Sequence, residues 1–265
     1  MDKILTQDLY KIYKQHPIIS KDSRKIIPSC LYFSLKGERF NGNKFAKQAL
    51  DSGCKFAIID EKKYFTKGCI LVSNVKFCLR QLATFHRNKL SIPVIGITGS
   101  NGKTTTKELI HSVLSIQYNC YATKGNLNNQ IGVPISILEI NNNHEIAVIE
   151  MGASEIGEIK KLCNIAKPDT GVITNVGLAH LEGFGTFQGV VQAKTELYNF
   201  IKENKGTIFV NSEDRILLEK SQEIQRRLYG KSKKSDLSSK IIQEFPFMSL
   251  QIEETTINSN LIGEF

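Results

Sequence analysis

Two α/β units in series, the second built on a mostly parallel sheet, are predicted by three features of the sequence. Short apolar runs alternate with helix-periodic stretches along 265 residues, a length that accommodates about two domains. At residues 94–107 a β-rich run passes through a glycine turn directly into a helical pattern. Later apolar runs end on polar residues, Glu150, Asn175 and Asn211, and the C-terminal strand edge of an open parallel sheet is where such folds bind ligands.

In chain order, Ile4, Leu5, Leu9, Ile12 and Tyr13 recur at helical spacing, so residues 1–20 read as a short amphipathic helix followed by an extended segment. Residues 28–35 (PSCLYFSL) read as a strand and 36–42 (KGERFNG) as a polar turn. A helix is expected over 44–52, strands over 56–60 and 69–73, and a second helix over 76–90. Residues 1–91 then form the first unit, with the boundary at the segment around Pro93, and residues 92–265 the second. In the second unit strands are expected at 94–98, 146–149, 170–174 and 207–210. Helices are expected at 103–115, part of 129–138, 155–166, 187–203 and 215–225. Residues 231–239 (KSKKSDLSS) read as a solvated basic loop or hairpin turn.

The turn after residue 98 carries the chemistry. Residues 94–98 are β-rich, as in a buried parallel strand, and Leu109, Ile110, Val113 and Leu114 lie at helical spacing beyond it. Gly99 and Gly102 let the backbone turn sharply, so that the N–H groups around Ser100, Asn101 and the first helical turn, with Thr105, face phosphate oxygens. Lys103 would offset β/γ-phosphate charge, and the Thr104 hydroxyl suits Mg²⁺. The strict phosphate-loop pattern has a glycine where this chain has Ile97, so the match is to a variant. The plain alternative, a glycine turn capping an ordinary helix, leaves the lysine and three threonines unexplained.

Glu150 ends a strand next to that loop, a place from which its carboxylate reaches the same cation; otherwise it is a solvated strand end. His180 lies among Gly177, Gly183 and Gly185, crowded with Asn175 and Glu182, which marks a functional loop more than a helix interior. Lys194 falls on a helix, and its residue-level reading is an ion pair with a neighbouring glutamate.

Composition sets limits. Hydrophobic content of 41% and charged content of 23% are those of a soluble globular protein, with neither a signal-peptide core nor a bilayer-length apolar run, so a cytoplasmic protein is expected. Six scattered cysteines read as reduced, buried small hydrophobes. The formal charge of +9 invites a nucleic-acid partner, but the lysines are dispersed and aromatics do not interleave with them. An anionic, phosphate-bearing substrate suits the charge equally well, and no nucleic acid is expected. A nucleic-acid-stimulated ATPase would instead show polynucleotide affinity that falls steeply with salt.

Several blocks together carry a family resemblance: Asp22-Ser23-Arg24 with 35–42 (LKGERFNG), 99–106 (GSNGKTTT), 125–134 (GNLNNQIGVP), 148–154 (VIEMGAS), and 175–182 (NVGLAHLE) with 193–196 (AKTE). The chain resembles the Mur ligases, and within them the branch that adds D-alanyl-D-alanine to UDP-N-acetylmuramoyl-tripeptide in peptidoglycan precursor synthesis. The resemblance implies an ATP-dependent amide ligase that is a monomer, and an acyl phosphate formed from the tripeptide's terminal carboxylate. It implies one Mg²⁺ held by Thr104 and Glu150, a second at His180, and Lys194 present as a carbamate. Lys103, Glu150, His180 and Lys194 would be the catalytic set. Asn211 and Asp214 would meet the adenosine, Ser23 and Arg24 the UDP, and Asn126, Asn128 and Asn129 the muramoyl peptide. The family also has a third, C-terminal domain that binds the incoming amine, and the 265 residues hold nothing resembling it. The chain on its own is therefore expected to bind substrates without ligating them, the alternative to a working ligase being a binding remnant.

Overall fold

Two sheets organise the chain, and the computed structural model describes them through residues 4–177 and 181–262. The first region holds α1 (Thr6–Gln15), β1 (Ile19–Ser20), β2 (Leu31–Phe33), the small antiparallel hairpin β3 (Lys36–Gly37) and β4 (Phe40–Asn41), α2 (Ala46–Asp51), β5 (Phe56–Ile59), β6 (Cys69–Leu71) and α3 (Val75–Arg87). Its sheet is parallel with order β1-β2-β5-β6. Strand β2 is buried at every position, which is why it reads as an unbroken apolar run. Leu31 and Phe33 join the cluster that contains Leu9, Leu79 and Leu82, while Tyr32 joins Ala46 and Ala49 of α2.

The second region continues with β7 (Val94–Thr98), α4 (Lys103–Leu114), β8 (Cys120–Ala122), α5 (Gly132–Glu139), β9 (Ile146–Glu150), α6 (Glu158–Ala166) and β10 (Thr170–Ile173). It ends with α7 (Leu181–Phe184), α8 (Phe187–Glu203), β11 (Thr207–Asn211), α9 (Arg215–Lys220), β12 (Arg226–Gly230), β13 (Leu237–Gln243), β14 (Ser249–Ile252) and β15 (Thr255–Asn258). The nine strands run in the order β15-β14-β13-β12-β11-β10-β7-β9-β8. Pairing is parallel from β8 to β13 and antiparallel from there to β15. The predicted α/β class with a mostly parallel sheet is what the chain adopts.

Helix α3 is the seam between the two sheets. Asn74 Oδ1 caps it by accepting from Phe77 N at 2.7 Å, and its stripe of Val75, Leu79, Leu82, Ala83 and His86 is buried. One apolar cluster runs through this helix from Phe33 and Ile58 to Val133 and Ile159, so both sheets share a core. Polar contacts reinforce the seam. Arg87 donates to Ala166 O at 2.7 Å and Lys167 O at 3.0 Å, satisfying carbonyls at the C-terminus of α6. His86 contacts Ile140 O at 2.7 Å and Tyr10 Oη at 3.2 Å, and burial pulls its pKa down.

Several elements differ from the sequence reading. Strand β12 begins at Arg226, so α9 stops at Lys220 and does not reach 225; the strand reads RRLYG, without an apolar run, and is extended because it pairs with β11. Residues 237–239 of the expected basic loop are strand, paired with β12 and β14. On α4, Leu109 and Val113 are 44% and 67% exposed; only Ile110 and Leu114 of the expected stripe pack on the sheet, because the helix covers it on one side alone. All six cysteines are free, four of them buried.

Candidate functional site

Strand β7, flanked by β10 and β9, delivers the chain to the C-terminal edge of the sheet, where the glycine turn begins. Gly99 has φ 148°, and a Cβ there would lie 1.9 Å from Thr174 Oγ1, so no side chain fits. Gly102, at φ 76°, takes the left-handed turn into α4. No side chain caps α4 among the described residues, so its first N–H groups are left facing the mouth of the loop.

The loop is braced from the end of β10. Ser100 N donates to Asn175 O and Asn101 N to Asn175 Oδ1, each at 3.1 Å, and Asn175 Nδ2 returns a bond to Asn101 O at 3.1 Å. Thr174 Oγ1 donates to the same carbonyl at 2.6 Å, and Gly177 N donates to Ser100 Oγ at 3.0 Å. These bonds fix the loop's shape within the protein itself. Lys103 folds back over it, donating to Gly99 O at 2.8 Å and Ser100 O at 3.0 Å. Burial pushes the Lys103 pKa down, with the charge of Glu150 opposing the shift.

Glu150, only 1% exposed, sits beside the first turn of α4. Its Oε2 accepts from Thr104 Oγ1 at 3.0 Å and its Oε1 from Asn128 Nδ2 at 2.8 Å, while its backbone N donates to Thr123 Oγ1 at 3.0 Å. Each carboxylate oxygen keeps a second lone pair, so a hydroxyl and a carboxylate stand side by side as hard oxygen donors. Among the described residues no three His, Cys, Asp or Glu side chains converge as a metal cage. A hydroxyl and one carboxylate, with phosphate and water completing the shell, fit Mg²⁺ better than a dedicated protein cage would.

An open cleft of about 460 Å³ lies alongside, lined among others by Lys76, Lys103, Lys194, Asn128, Asn129 and Glu158. Lys194 projects from α8, is 2% exposed, and has its Nζ 5.2 Å from the Phe184 ring centroid. Burial, then the charge of Lys103, pull its pKa down to about 8, against the opposing pull of Glu158 and Glu196. Burial alone would push Glu158 up, but hydrogen bonds from Ser154 and Gln130 hold its carboxyl low.

The ion-pair reading of Lys194 does not survive. Its neighbour Glu196 instead accepts from Gly157 N and from Lys160 N at 2.8 Å, capping α6 from another helix. Glu196→Ala leaves those donors unpaired and is expected to cost about 1–2 kcal/mol, as cap losses do. A thermal melt should show the midpoint falling by a few degrees; an unchanged midpoint would mean that α6 does not depend on this cap.

The other expected site residues are dispersed. Asn126 is exposed on the loop before α5 and does not line the cleft, whereas Asn129 does, with its Oδ1 accepting from Ile131 N and Gly132 N at 3.0 Å. Thr105 lies exposed in the first turn of α4. Asn211 ends β11 and Asp214 follows it, at the same sheet edge as the loop; Asn211 Oδ1 accepts from Glu213 N, and Asp214 Oδ1 caps α9 through Ile216 N and Leu217 N. Ser23 is buried and Arg24 exposed after β1, away from the cleft, with Arg24 paired to Asp22 at 2.8 Å. His180 lies outside the described residues. Asn175 braces the loop, a task its sequence position hints at only as crowding near a strand end. Lys76 and Thr123 carry no sequence signal for the places they take.

The Mur ligase middle domain family model matches residues 97–265. The UDP-N-acetylmuramoyl-tripeptide--D-alanyl-D-alanine ligase of Bacillus subtilis (strain 168) is 41% identical over 221 residues, covering 82% of this chain and 48% of that one. The enzyme of that name from Escherichia coli (strain K12) is 36% identical over 196 residues, covering 74% and 43%. Crystal structure II of MurF from Acinetobacter baumannii superposes with a TM-score of 0.84 at 30% identity, over 100% of this chain and 62% of that one. MurF ligase from Thermotoga maritima, solved in complex with ADP, superposes at 0.80 and 31% identity, over 94% and 58%. The chain thus spans about half the length of the curated relatives it matches. No helix among the described residues is long and apolar enough to cross a membrane. With the glycine loop, the Thr104–Glu150 pair and the buried Lys194 placed at one sheet edge, and with the middle-domain match covering more than half of its length, the chain belongs to the Mur ligase family.

Proposed function

We propose that the chain supplies the peptide-substrate and nucleotide sites of an ATP-dependent ligase that adds D-alanyl-D-alanine to UDP-N-acetylmuramoyl-tripeptide in peptidoglycan precursor synthesis. The observation that carries this reading is the cleft itself, in which Lys103 and Lys194 meet beside Asn128, the partner of Glu150. Residues 1–91 hold the UDP end, with Ser23 and Arg24, and residues 92–265 hold ATP, with Asn211 and Asp214 toward the adenosine. The muramoyl peptide meets Asn126, Asn128 and Asn129. The protein works in the cytoplasm as a monomer.

The braced loop and the first N–H groups of α4 hold the phosphates, and Lys103 swings from its loop carbonyls to the β/γ oxygens. A peptide carboxylate oxygen then bonds to the γ-phosphorus as the bond to ADP breaks, giving an acyl phosphate. The principal obstacle is the approach of two anions, which the Lys103 ammonium offsets. The amine of D-alanyl-D-alanine attacks the acyl carbon, phosphate leaves, and the amide remains. Thr104 and Glu150 would hold Mg²⁺, which when bound supplies further charge neutralisation. His180 and a carbamate on Lys194 are proposed for a second ion. A pKa of about 8, down from 10.5, raises the neutral amine fraction at pH 7 roughly 300-fold, and neutral amine is the form that adds CO₂ with loss of a proton.

Calorimetric titration of the chain with ADP and with UDP-N-acetylmuramoyl-tripeptide tests the binding half. Phosphate release from ATP that requires both the tripeptide and D-alanyl-D-alanine tests the ligation. Saturable binding of both ligands supports the reading, and binding of neither overturns it.

A further inference from the structure

The cleft holds one cation that this mechanism does not use. Lys76 stands on the first turn of α3, in the wall that the N-terminal region contributes, and lines the same cleft as Lys103 and Lys194. Among the described residues nothing hydrogen-bonds or ion-pairs with it. Its neighbours are engaged elsewhere: Arg80, one turn on, donates to the Gln130 side chain and to Gln130 O, and Glu158 accepts from Ser154 N at 2.8 Å and Gln130 Nε2 at 2.7 Å. The charges around Lys76 are Arg80, Glu158 and Lys161, and burial with the Arg80 charge pulls its pKa down. An ammonium with no hydrogen bond or ion pair among the described residues, lining a cleft beside two further lysines, is suited to an anion.

The peptide named for an Acinetobacter baumannii relative, solved at 32% identity to this chain, offers such anions: it is an alanyl-D-glutamyl-2,6-diaminopimelate. Glutamate and diaminopimelate are both dicarboxylic. One carboxylate reacts, one is consumed in the peptide linkage, and two remain as spectators. We propose that Lys76 is a substrate-binding residue that holds a spectator carboxylate of the peptide substrate in the cleft it shares with Lys103 and Lys194. This assignment rests on the ligase reading above. With the reacting carboxylate drawn toward Lys103, the spectator group is anchored on the wall built by α3, which ties the N-terminal region to substrate orientation.

The test titrates two UDP-N-acetylmuramoyl-tripeptides into the wild-type chain, Lys76→Gln and Lys76→Arg, one peptide ending in diaminopimelate and one in lysine, which lacks the extra carboxylate. ADP titration reports whether the nucleotide half remains intact. Lys76→Gln is expected to weaken the diaminopimelate peptide about tenfold, the size of one charged hydrogen bond, with Lys76→Arg recovering most of it and ADP affinity unchanged. Loss confined to the diaminopimelate peptide assigns the diaminopimelyl carboxylate, and equal loss on both assigns the glutamyl one. The proposal is overturned if Lys76→Gln binds both peptides as wild type does, or if Lys76→Arg is as weak as Lys76→Gln, a loss then owed to shape and not charge. A wild-type chain that binds ADP but neither peptide would instead sink the ligase reading itself.

Discussion

Lys103→Ala is expected to weaken ATP binding by about 10- to 100-fold, the worth of one or more charged hydrogen bonds to phosphate, while leaving the fold intact. The ammonium is partly buried and, among the described residues, hydrogen-bonds only to two carbonyls of its own loop, Gly99 O and Ser100 O. Its removal therefore breaks no contact between elements, and the loop keeps the bracing from Thr174, Asn175 and Gly177. The measurement is a calorimetric titration with a non-hydrolysable ATP analogue beside a thermal melt. Unchanged affinity would show that the loop's N–H groups alone hold the phosphates; a collapsed melting midpoint would show that Lys103 is structural.

Lys194→Met is expected to stabilise the chain at pH 7 in CO₂-depleted buffer by on the order of 3 kcal/mol, the cost of holding a buried ammonium. The folded pKa of about 8 lies below the unfolded 10.5, so between these values the unfolded chain binds more protons than the folded one. Wild-type stability from this group accordingly rises with pH across that window. Below about pH 8 the full penalty is present, and above 10.5 both states are neutral and it is gone. The methionine variant's advantage should be complete at pH 7 and fade by pH 10.5, as read by denaturant unfolding at a series of pH values. A pH-independent difference would mean that packing, not charge, separates the two proteins. The same substitution removes the proposed carbamate and is expected to abolish ligation.

The parts of the fold legible in the sequence are those written in close neighbours. Strand β7, the glycine turn and the start of α4 were read from adjacent residues. Helix α8 spans the same 187–203 read from periodicity, its start set by the Thr186 side chain accepting from Gly189 N at 3.1 Å. Strands β8, β12, β13 and β15 escape because three-residue CYA, RRLYG and mostly exposed polar strands carry no two-residue apolar signal, and β14 (SLQI) is too short for its alternation to stand out; pairing makes them strands.

The candidate site divides along the same line. By itself the sequence determined a sharp glycine turn with a lysine at the start of the following helix, because Gly99, Gly102 and Lys103 set backbone freedom and charge within five residues. It also determined that Glu150 ends a strand. Only the tertiary structure decided that Asn175 braces the loop, that Glu196 caps α6 while Lys194 is buried with no ion pair among the described residues, and that Lys76 faces the same cleft. The reason is physical: backbone preference acts over a few residues, whereas desolvation and the pairing of polar groups depend on which distant segments the strand order sets side by side.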